Sequence, residues 1–186
     1  MNFVKFFLII SILVTISTKA NSNEELIYSL KEGGKLIFIR HAYAPGSGDP
    51  KNFDINNCST QRNLSYEGKK QAKIIGLFFT NNKIPFETVI SSEWCRCKET
   101  ASIAFNEKYQ KKSFLNSFYD EKFAKNKNNQ IIELKNYIEK WNGKNNLIFV
   151  THYVVIAEVL NIYPSSGEIV ISDKNYNVIG NLKFKF

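Results

Sequence analysis

The amino-acid sequence predicts an α/β domain, a three-layer α/β/α sandwich with a mostly parallel central sheet and a C-terminal β-hairpin. Short runs of β-branched and aromatic residues, at 36–39 and 147–150, are typical of strands buried on both faces. Segments with apolar residues at helical spacing separate such runs, which favours parallel strands joined by helices. Because no repeat and no linker interrupts the pattern, residues 21–186 are predicted to form a single domain.

The N-terminal half begins with a helix, a buried strand and a long loop. Apolar residues at helical spacing predict a helix over 24–32, which Gly33-Gly34 ends. The strand at 36–39 follows it. Residues 42–63 are rich in Gly, Pro, Asn and Asp, and a loop of this length inside a compact domain is often functional.

The rest of the chain continues the alternation of strands and helices. A helix is predicted over 65–81 because its apolar residues share one face, and 167–172 with 178–184 are predicted to form the closing hairpin. Between them we expect, in order, a strand at 88–91, a helix at 93–105, a strand or extended segment at 114–118, a helix at 129–141, a strand at 147–150 and a helix at 154–161.

Residues 1–20 have the pattern of a secretory signal peptide. Lys5 gives a positive start, residues 6–16 form an apolar core, and Thr18-Lys19-Ala20 offers small residues to a signal peptidase. The apolar core is short for a stable transmembrane anchor, although a retained anchor is the alternative. We therefore expect an exported protein, periplasmic or secreted, with no stable membrane span after removal of the signal.

The net charge narrows the classes of partner. The formal charge is +8 at pH 7, and a basic surface attracts phosphorylated ligands, anionic lipids or nucleic acid. The lysines are scattered among asparagines, as at 122–129, which is typical of a solvated face, and the sequence contains no nucleic-acid-binding motif. We therefore predict no nucleic-acid partner and take the charge as support for an anionic substrate.

The three cysteines allow two interpretations. Export to an oxidising compartment favours one disulfide, between Cys58 and either Cys95 or Cys97. The alternative is that Cys95 and Cys97 form half of a zinc site. Zinc requires about four ligands, and the two histidines have another predicted use. No metal site is therefore predicted.

Both histidines of the chain follow buried-strand patterns. His41 comes after the run at 36–39 and Arg40, and His152 comes after the run at 147–150. Ligands of parallel sheets gather outside the carboxyl ends of the strands, so neighbouring strands would bring both imidazoles to one site. A neutral imidazole is a nucleophile toward phosphorus, and an arginine binds two phosphoryl oxygens. The pattern predicts chemistry on a phosphate.

Arg96 is a further candidate for the same site. It lies at the start of a predicted helix that follows a short strand, so its side chain can turn back toward the strand ends. Helix starts also offer free N–H groups to anions. The structural alternatives are a solvent-facing arginine at position 96 and buried, purely structural histidines at 41 and 152.

Four motifs follow one another in the order of a known family. They are Arg40-His41, Leu64-Ser65-x-x-Gly68-x-x-Gln71-Ala72, Ser91-Ser92-x-Trp94-Cys95-Arg96-Cys97-x-x-Thr100 and Val150-Thr151-His152. Together they resemble the histidine phosphatase superfamily, also called phosphoglycerate-mutase-like. The stretch from Cys58 to Leu64 and Gly167-Glu168 are similar to an exported bacterial branch that resembles lipopolysaccharide core heptose phosphatases.

The resemblance implies a two-step phosphoryl transfer without metal or cofactor. His41 would attack phosphorus and become a phosphohistidine, which water then hydrolyses. Arg40, Arg96 and a cationic His152 would surround the equatorial oxygens and neutralise their charge, as Mg²⁺ does in kinases.

The general acid is where the sequence departs from the family pattern, because the glutamate that many members carry after the second helix is absent. Asp120 and Glu121 lie in the corresponding region and are the candidates, with Asp49 and Glu93 as weaker ones. Such an acid would speed the reaction by about 10²–10⁴-fold. Without one, good leaving groups such as phosphohistidine or acyl phosphates would be favoured.

Specificity is expected to reside in the long loop. Gln61 and Arg62, together with the turn at 46–49, are predicted to line the mouth of the pocket and contact the substrate. Solvated loop residues are the alternative for each of them.

The sequence thus predicts a phosphatase acting on a small phosphomonoester, with a phosphorylated sugar among the candidate substrates. One alternative is a non-catalytic binder that holds a phosphorylated glycan or lipid in the same cationic pocket. The other is a phosphomutase, against which export argues because glycolytic intermediates are cytosolic.

Overall fold

The computed structural model describes residues 18–106 and 108–184, with side chains from residue 23 onward. Most of the predicted signal peptide therefore lies outside the described residues. The helices are α1 (Thr18–Glu32), α2 (Tyr66–Asn82), α3 (Cys95–Phe105), α4 (Glu121–Ala124), α5 (Lys127–Glu139) and α6 (Tyr153–Leu160). The strands are β1 (Leu36–Arg40), β2 (Phe86–Ser91), β3 (Gln110–Lys111), β4 (Asn146–Thr151), β5 (Ile169–Ser172) and β6 (Val178–Leu182).

The described strands form one six-stranded sheet in the order β3-β2-β4-β1-β5-β6. The first four strands in this order run parallel, whereas β5 and β6 are antiparallel additions at one edge. The register pairs Leu36 with Leu147 and Arg40 with Thr151, so β1 and β4 are neighbours that end at the same level. The predicted adjacency of the two strands that precede the histidines is confirmed.

Helices cover both faces of the sheet. Ile37 and Ile39 of β1 pack into a core with α1, α2 and α3, whereas Leu36 and Phe38 pack into a second core with α5 and α6. The rings of Phe38 and Phe149 stack across neighbouring strands with centroids 4.9 Å apart, an arrangement that contributes about 0.5–1.5 kcal/mol beyond area burial. The predicted three-layer sandwich and the C-terminal hairpin are confirmed.

The segment at 114–118 differs from the predicted strand or extended segment. Residues Ser113–Leu115 form a 3-10 turn closed by a hydrogen bond of 2.9 Å from Asn116 N–H to the Ser113 carbonyl. Phe114 and Leu115 are adjacent and both buried in the same core, which a turn permits and a half-buried strand does not. The edge strand is instead Gln110–Lys111, which has no apolar signature.

The cysteines are divided between a disulfide and a buried thiol. Cys58 bonds to Cys95, and Cys97 is free and buried. This excludes the interpretation of Cys95 and Cys97 as half of a zinc site. The disulfide ties the long loop after β1 to the first residue of α3. Within the described part of the chain, no helix combines the length and apolarity needed to cross a bilayer.

Candidate active site

The two histidines meet at the carboxyl ends of β1 and β4. The backbone N–H of His41 donates to the carbonyl of Thr151 at 2.9 Å, which extends the strand pairing to the point where both imidazoles leave the sheet. The ring centroids of His41 and His152 lie 5.4 Å apart with the planes inclined at 67°. Both side chains are buried. The sheet register therefore delivers both rings to one site.

One ring nitrogen of His41 is unprotonated. Its Nδ1 lies 2.9 Å from the carbonyl of Ala42, which can only accept, so Nδ1 carries the proton and Nε2 carries the lone pair. Burial and the positive charges of Arg96 and Arg40 lower the pKa of His41 well below its usual value. His41 is thus neutral at pH 7, with Nε2 as its nucleophilic atom.

Arg96 is the buried cation that joins the two rings. It is the second residue of α3, which begins after Trp94 just beyond the end of β2, and its side chain is only 4% exposed. Its Nε donates to His41 Nε2 at 3.3 Å, and its Nη2 lies 3.5 Å from His152 Nδ1. The predicted return of this side chain from the helix start to the strand ends is found.

Asp49 binds the outer edge of the Arg96 guanidinium. Its two carboxylate oxygens accept from Nη1 at 2.8 Å and from Nη2 at 3.2 Å. They also accept from the backbone N–H of Arg62 at 3.0 Å and from the indole N–H of Trp94 at 3.1 Å. Burial alone would raise the pKa of Asp49, but the hydrogen bonds and charge of Arg96 hold it below its ordinary value. Asp49 is therefore ionised, which suits an orienting partner of Arg96 and not a general acid.

Arg40 and Arg62 complete the set of guanidinium groups around the site. Arg40 donates to the carbonyl of Pro164 at 2.8 Å and lies over the ring of Tyr153, 5.2 Å from its centroid. Arg40 Nε is buried without a hydrogen-bond partner among the described residues. Arg62 donates to the carbonyls of Gly48, at 2.9 Å, and Ala44. Burial lowers the pKa of both arginines, but both guanidinium groups remain positively charged.

The hydrogen bonds around Ser92 fix the tautomer of His152. Ser92 Oγ donates to Asn116 Oδ1 at 3.0 Å and accepts from the Trp94 N–H at 3.3 Å. The Asn116 amide is oriented because its Oδ1 accepts from the Glu93 N–H while its Nδ2 donates to the Glu93 carboxylate. With its own proton committed to Asn116, the Ser92 hydroxyl accepts from His152 Nε2–H at 3.0 Å.

His152 is consequently neutral, with Nδ1 unprotonated and directed toward Arg96. Burial and the positive charge of Arg96 lower the pKa of His152 well below its usual value. The expected cation at position 152 is therefore not the form present in the free protein. A dianionic ligand beside Arg96 would oppose that repulsion and favour protonation of Nδ1.

Replacing Ser92 with alanine is expected to let the His152 proton occupy either ring nitrogen instead of Nε2 alone. Without the hydroxyl acceptor, the Nε2–H of His152 keeps only the weak acceptor Cys97 Sγ at 3.5 Å, and we expect activity to fall by about tenfold. The measurement is the ¹⁵N chemical shifts of the His152 ring together with kcat for an aryl phosphate. Ser102→Ala, on the same helix that carries Arg96, is the control. Unchanged ¹⁵N shifts in Ser92→Ala would contradict the assignment.

The buried histidines also predict a pH dependence of stability. The pKa values of both histidines are lower in the folded chain than in the unfolded chain. Below pH 6.5 the histidines of the unfolded chain therefore bind protons, whereas those of the folded chain stay neutral. Stability is thus fully present above pH 6.5 and falls as the pH drops from there toward the folded pKa values, by about 1.4 kcal/mol per pH unit for each histidine. Urea unfolding between pH 5 and 7 measures the slope, and a His41→Asn/His152→Asn variant should flatten it.

These groups surround a small cavity of about 170 Å³ at the strand ends. Of the predicted site residues it is lined by Arg40, His41, Arg62, Arg96, His152 and Asp120. Its other lining residues are Gly46, Ser47, Gly48, Asp49, Trp94, Ser117, Tyr119, Phe123 and Tyr153. The turn at 46–49 does line the pocket, as its composition suggested.

Asp120 and Glu121 are placed differently with respect to this cavity. Asp120 lines it, is half-buried, and caps α4 by accepting from the Lys122 N–H at 3.1 Å. Glu121 is exposed on α4 and lies outside the lining. Glu93 is also outside, bound to Asn116. Asp120 is thus the predicted acid that the fold brings to the pocket.

Gln61 has a position that differs from its predicted contact with the substrate. It is buried, its Nε2 donates to the carbonyls of Asp54 and Ile55 at 2.9 and 3.0 Å, and its Oε1 accepts from the Cys95 N–H at 2.9 Å. It does not line the cavity. Its amide instead fastens the long loop to the start of α3, beside the disulfide of Cys58.

The sequence reasoning missed two groups of residues that organise the pocket. The sequence places Asp49 in the turn at the mouth of the pocket and among the weaker candidate acids, but does not indicate that it is the ionic partner of Arg96. Ser92 and Asn116, which orient His152, were not considered as site residues. The usable signals were a single carboxylate in a Gly-rich turn, for Asp49, and the position of Ser92 directly after a strand that neighbours β4.

Comparisons with known proteins identify the architecture. No protein-family model matches the chain, and no curated protein matches it. Solved structures do match. The protein histidine phosphatase SixA, complexed with tungstate, aligns with a TM-score of 0.53 at 15% identity, over 77% of this chain and 92% of its own. A protein from Thermus thermophilus aligns with a TM-score of 0.58 at 16% identity, over 81% and 99% of the two chains.

A mycobacterial glucosyl-3-phosphoglycerate phosphatase complexed with VO₃ aligns with a TM-score of 0.54 at 13% identity, over 74% of this chain and 91% of its own. Likenesses at such identities establish architecture and not activity. They confirm the resemblance drawn from the four motifs at the level of the fold. The described chain has the fold of the histidine phosphatases.

Proposed function

We propose that the protein is a phosphatase that hydrolyses a small phosphomonoester through a phosphohistidine on His41. The observation that carries the proposal is the unprotonated His41 Nε2, which faces a buried cavity 3.3 Å from Arg96 Nε. A nucleophile and fixed cations around a cavity that can hold an oxyanion are the parts that phosphoryl transfer requires. Two of the similar solved structures are phosphatases, complexed with tungstate and VO₃.

In the first step His41 Nε2 forms a bond to phosphorus while the bond from phosphorus to the leaving oxygen breaks. Arg96 and Arg40 bind the equatorial oxygens, and the partnerless Arg40 Nε gains an acceptor. The Nε–H of Arg96, which donates to His41 Nε2 in the free protein, would turn to an equatorial oxygen in this step and free the lone pair of Nε2, while Asp49 holds the two terminal nitrogens of Arg96. The charge is neutralised by the protein's own guanidinium groups, so the proposed reaction is independent of metal and cofactor.

Asp120 is proposed as the general acid. In protonated form it would transfer its proton to the leaving alkoxide, and as a carboxylate it would take a proton from the water that attacks phosphohistidine in the second step. The bond from phosphorus to His41 Nε2 then breaks, and inorganic phosphate leaves. With the bound dianion beside it, His152 would take up a proton from solvent and donate from Nδ1 to an equatorial oxygen.

Replacing Asp120 with asparagine is expected to lower kcat by about 10²–10³-fold for an alkyl phosphate. The loss should be much smaller for p-nitrophenyl phosphate, because a good leaving group does not need the proton. The measurement is kcat for both substrates in Asp120→Asn and in the control Glu121→Gln, whose side chain lies outside the cavity. Equal losses for both substrates would contradict the role of Asp120 as an acid.

The proposal is tested by trapping the intermediate. The protein is mixed with a ³²P-labelled aryl phosphate, quenched, and analysed for label bound to protein. Acid-labile, alkali-stable label on His41 with release of phosphate is the expected result. Binding without covalent label would instead identify a non-catalytic binder of phosphorylated glycan or lipid, and label that returns to another hydroxyl of the same substrate would identify a mutase.

We also propose that the protein is exported to the periplasm or beyond the cell. The proposal is supported by the signal-peptide pattern at 1–20 and by the disulfide between Cys58 and Cys95, a bond that persists in oxidising compartments. Fractionation of cells that express the full chain, with mass determination of the exported species, tests both export and cleavage.

A further inference from the structure

A second, larger cavity adjoins the first. It has a volume of about 610 Å³, compared with about 170 Å³ for the pocket at the histidines. Trp94, Ser117 and Phe123 line both cavities, so they form a shared wall. The smaller cavity holds the arginines and the two histidines, and the larger one begins at the shared wall. A substrate bound by its phosphate beside the arginines would therefore reach the neighbouring groove with the rest of its structure.

One wall of the groove is an aromatic cluster of Phe53, Trp94 and Phe123. The rings of Phe53 and Trp94 stack with centroids 4.9 Å apart, and Phe123 packs edge-on against them at 5.5 and 5.4 Å. Lys122 Nζ lies 5.2 Å from the Phe53 centroid and 5.0 Å from that of Phe123. Trp94 is only 3% exposed, whereas Phe53 and Phe123 are half-buried, so these two rings give the groove an apolar wall against which the C–H groups of a sugar ring can pack.

The remaining lining of the groove is acidic and rich in amides. Asp54, Glu93 and Glu133 contribute three carboxylates, and Lys122 is the single cation among its lining residues. Most of its other polar groups belong to asparagine and glutamine side chains. Carboxylates and amide oxygens accept hydrogen bonds from hydroxyl and ammonium groups and repel a second anion. The groove therefore has the opposite electrostatic character to the pocket with its three arginines.

We propose that this groove binds the leaving group of the substrate and selects one that is rich in hydrogen-bond donors and free of negative charge, as in an amino sugar phosphate. This inference rests on the proposed function and names its substrate class. The phosphate occupies the arginine pocket, the sugar ring packs against the wall of Phe53 and Phe123, and its hydroxyl and ammonium groups face Glu133 and Asp54. A bisphosphate is disfavoured because its second phosphate would enter the acidic groove.

The test measures binding by calorimetry, so that it does not depend on turnover. Three hydrolysis-resistant probes are used: methylphosphonate, the phosphonomethyl analogue of glucosamine 6-phosphate, and the bisphosphonate analogue of fructose 1,6-bisphosphate. For the wild-type protein we expect the amino sugar analogue to bind at least about tenfold more tightly than methylphosphonate, and the bisphosphonate to gain nothing over methylphosphonate.

Charge reversal at the groove supplies the matched variants. Glu133 is exposed on α5, so Glu133→Lys leaves the cores intact, and we expect it to weaken the amino sugar analogue by about tenfold and to strengthen the bisphosphonate. Glu87→Lys makes the same charge change near the start of β2, at the end of the sheet away from the site, and is expected to change neither ratio.

The outcomes separate this inference from the function on which it rests. If the wild-type protein binds all three probes equally, the arginine pocket is real and the groove proposal is wrong. The groove proposal is equally wrong if Glu133→Lys and Glu87→Lys shift the affinities alike. If even methylphosphonate fails to bind, the proposed phosphatase function is wrong, and the groove proposal that rests on it is wrong as well.

Discussion

Replacing His41 with alanine is expected to lower kcat for an aryl phosphate by at least about 10⁴-fold, the largest single effect in the molecule. His41 Nε2 carries a lone pair at pH 7, belongs to a residue that lines the cavity, and lies 3.3 Å from Arg96 Nε. Neither Ser92 nor Cys97 can replace it, because Ser92 Oγ is occupied by Asn116 and burial raises the pKa of the Cys97 thiol to about 12. Steady-state kinetics with purified protein are the measurement.

His152→Ala is the matched comparison for His41→Ala. Both variants remove a buried imidazole from the same cavity, but only the loss of His41 removes the atom that bonds to phosphorus. We expect His152→Ala to be slow yet still to trap acid-labile label, whereas His41→Ala traps none. Near-ultraviolet circular dichroism verifies that both variants are folded. Full labelling of the His41→Ala protein would refute the proposed intermediate.

Replacing Arg96 with lysine is expected to lower kcat/KM by about 10²–10³-fold and also to destabilise the fold. An ammonium group keeps the charge but cannot contact His41, His152 and Asp49 at once, as the guanidinium does. Asp49 then keeps the N–H groups of Arg62 and Trp94 but loses the paired donors of the guanidinium, so we expect a loss of stability smaller than the roughly 3–5 kcal/mol of a buried ion pair from which one charge is removed. Kinetics and urea unfolding measure the two effects.

The double variant Asp49→Asn/Arg96→Met separates these two effects. Because neither charge of the buried pair is then left unpaired, it should be more stable than Arg96→Met alone without recovering activity. Asp49→Asn alone should keep the charge of Arg96 but loosen its orientation, with a loss of about tenfold in kcat and little change in the affinity for phosphate. If Arg96→Lys proves as active as the wild-type protein, the guanidinium geometry is irrelevant to the chemistry.

The electrostatics of the free site bear on the mechanism as well. His41 and His152 are neutral for a shared reason, since each is buried against the charge of Arg96. Neutrality suits His41 as a nucleophile, whereas His152 is useful to a phosphoryl group only once it is protonated. The negative charge of a bound anion favours protonation of His152, so the cationic form would be confined to the occupied site.

Sequence patterns were sufficient for the parts of the site that are attached directly to strands. Arg40-His41 and Thr151-His152 follow runs whose apolar continuity is caused by burial on both faces, and residues at the ends of parallel strands share one edge of the sheet. Arg96 could be placed because a helix that starts just after a strand has limited freedom. In each case a local pattern fixes the backbone, and the backbone fixes the side chain.

The loop residues could not be placed in this way. Asp49 and Gln61 lie in the same long loop and are both polar, yet Asp49 reaches Arg96 whereas Gln61 is buried against the backbone at Ile55 and Cys95. Asp120 and Glu121 are adjacent carboxylates, and only Asp120 lines the cavity. No periodicity distinguishes such neighbours, because their orientation depends on contacts with distant segments.

By itself the sequence determined the three-layer architecture, the meeting of the two histidines, and the presence of Arg40 and Arg96 at the same site. These features follow from strand and helix periods, which are local properties of the chain. Only the tertiary structure decided which carboxylates face the pocket, which cysteine is bonded to Cys58, and that a groove of opposite charge lies next to the arginines. Those features depend on where long loops cross the end of the sheet, and loop paths are set by contacts between residues far apart in sequence.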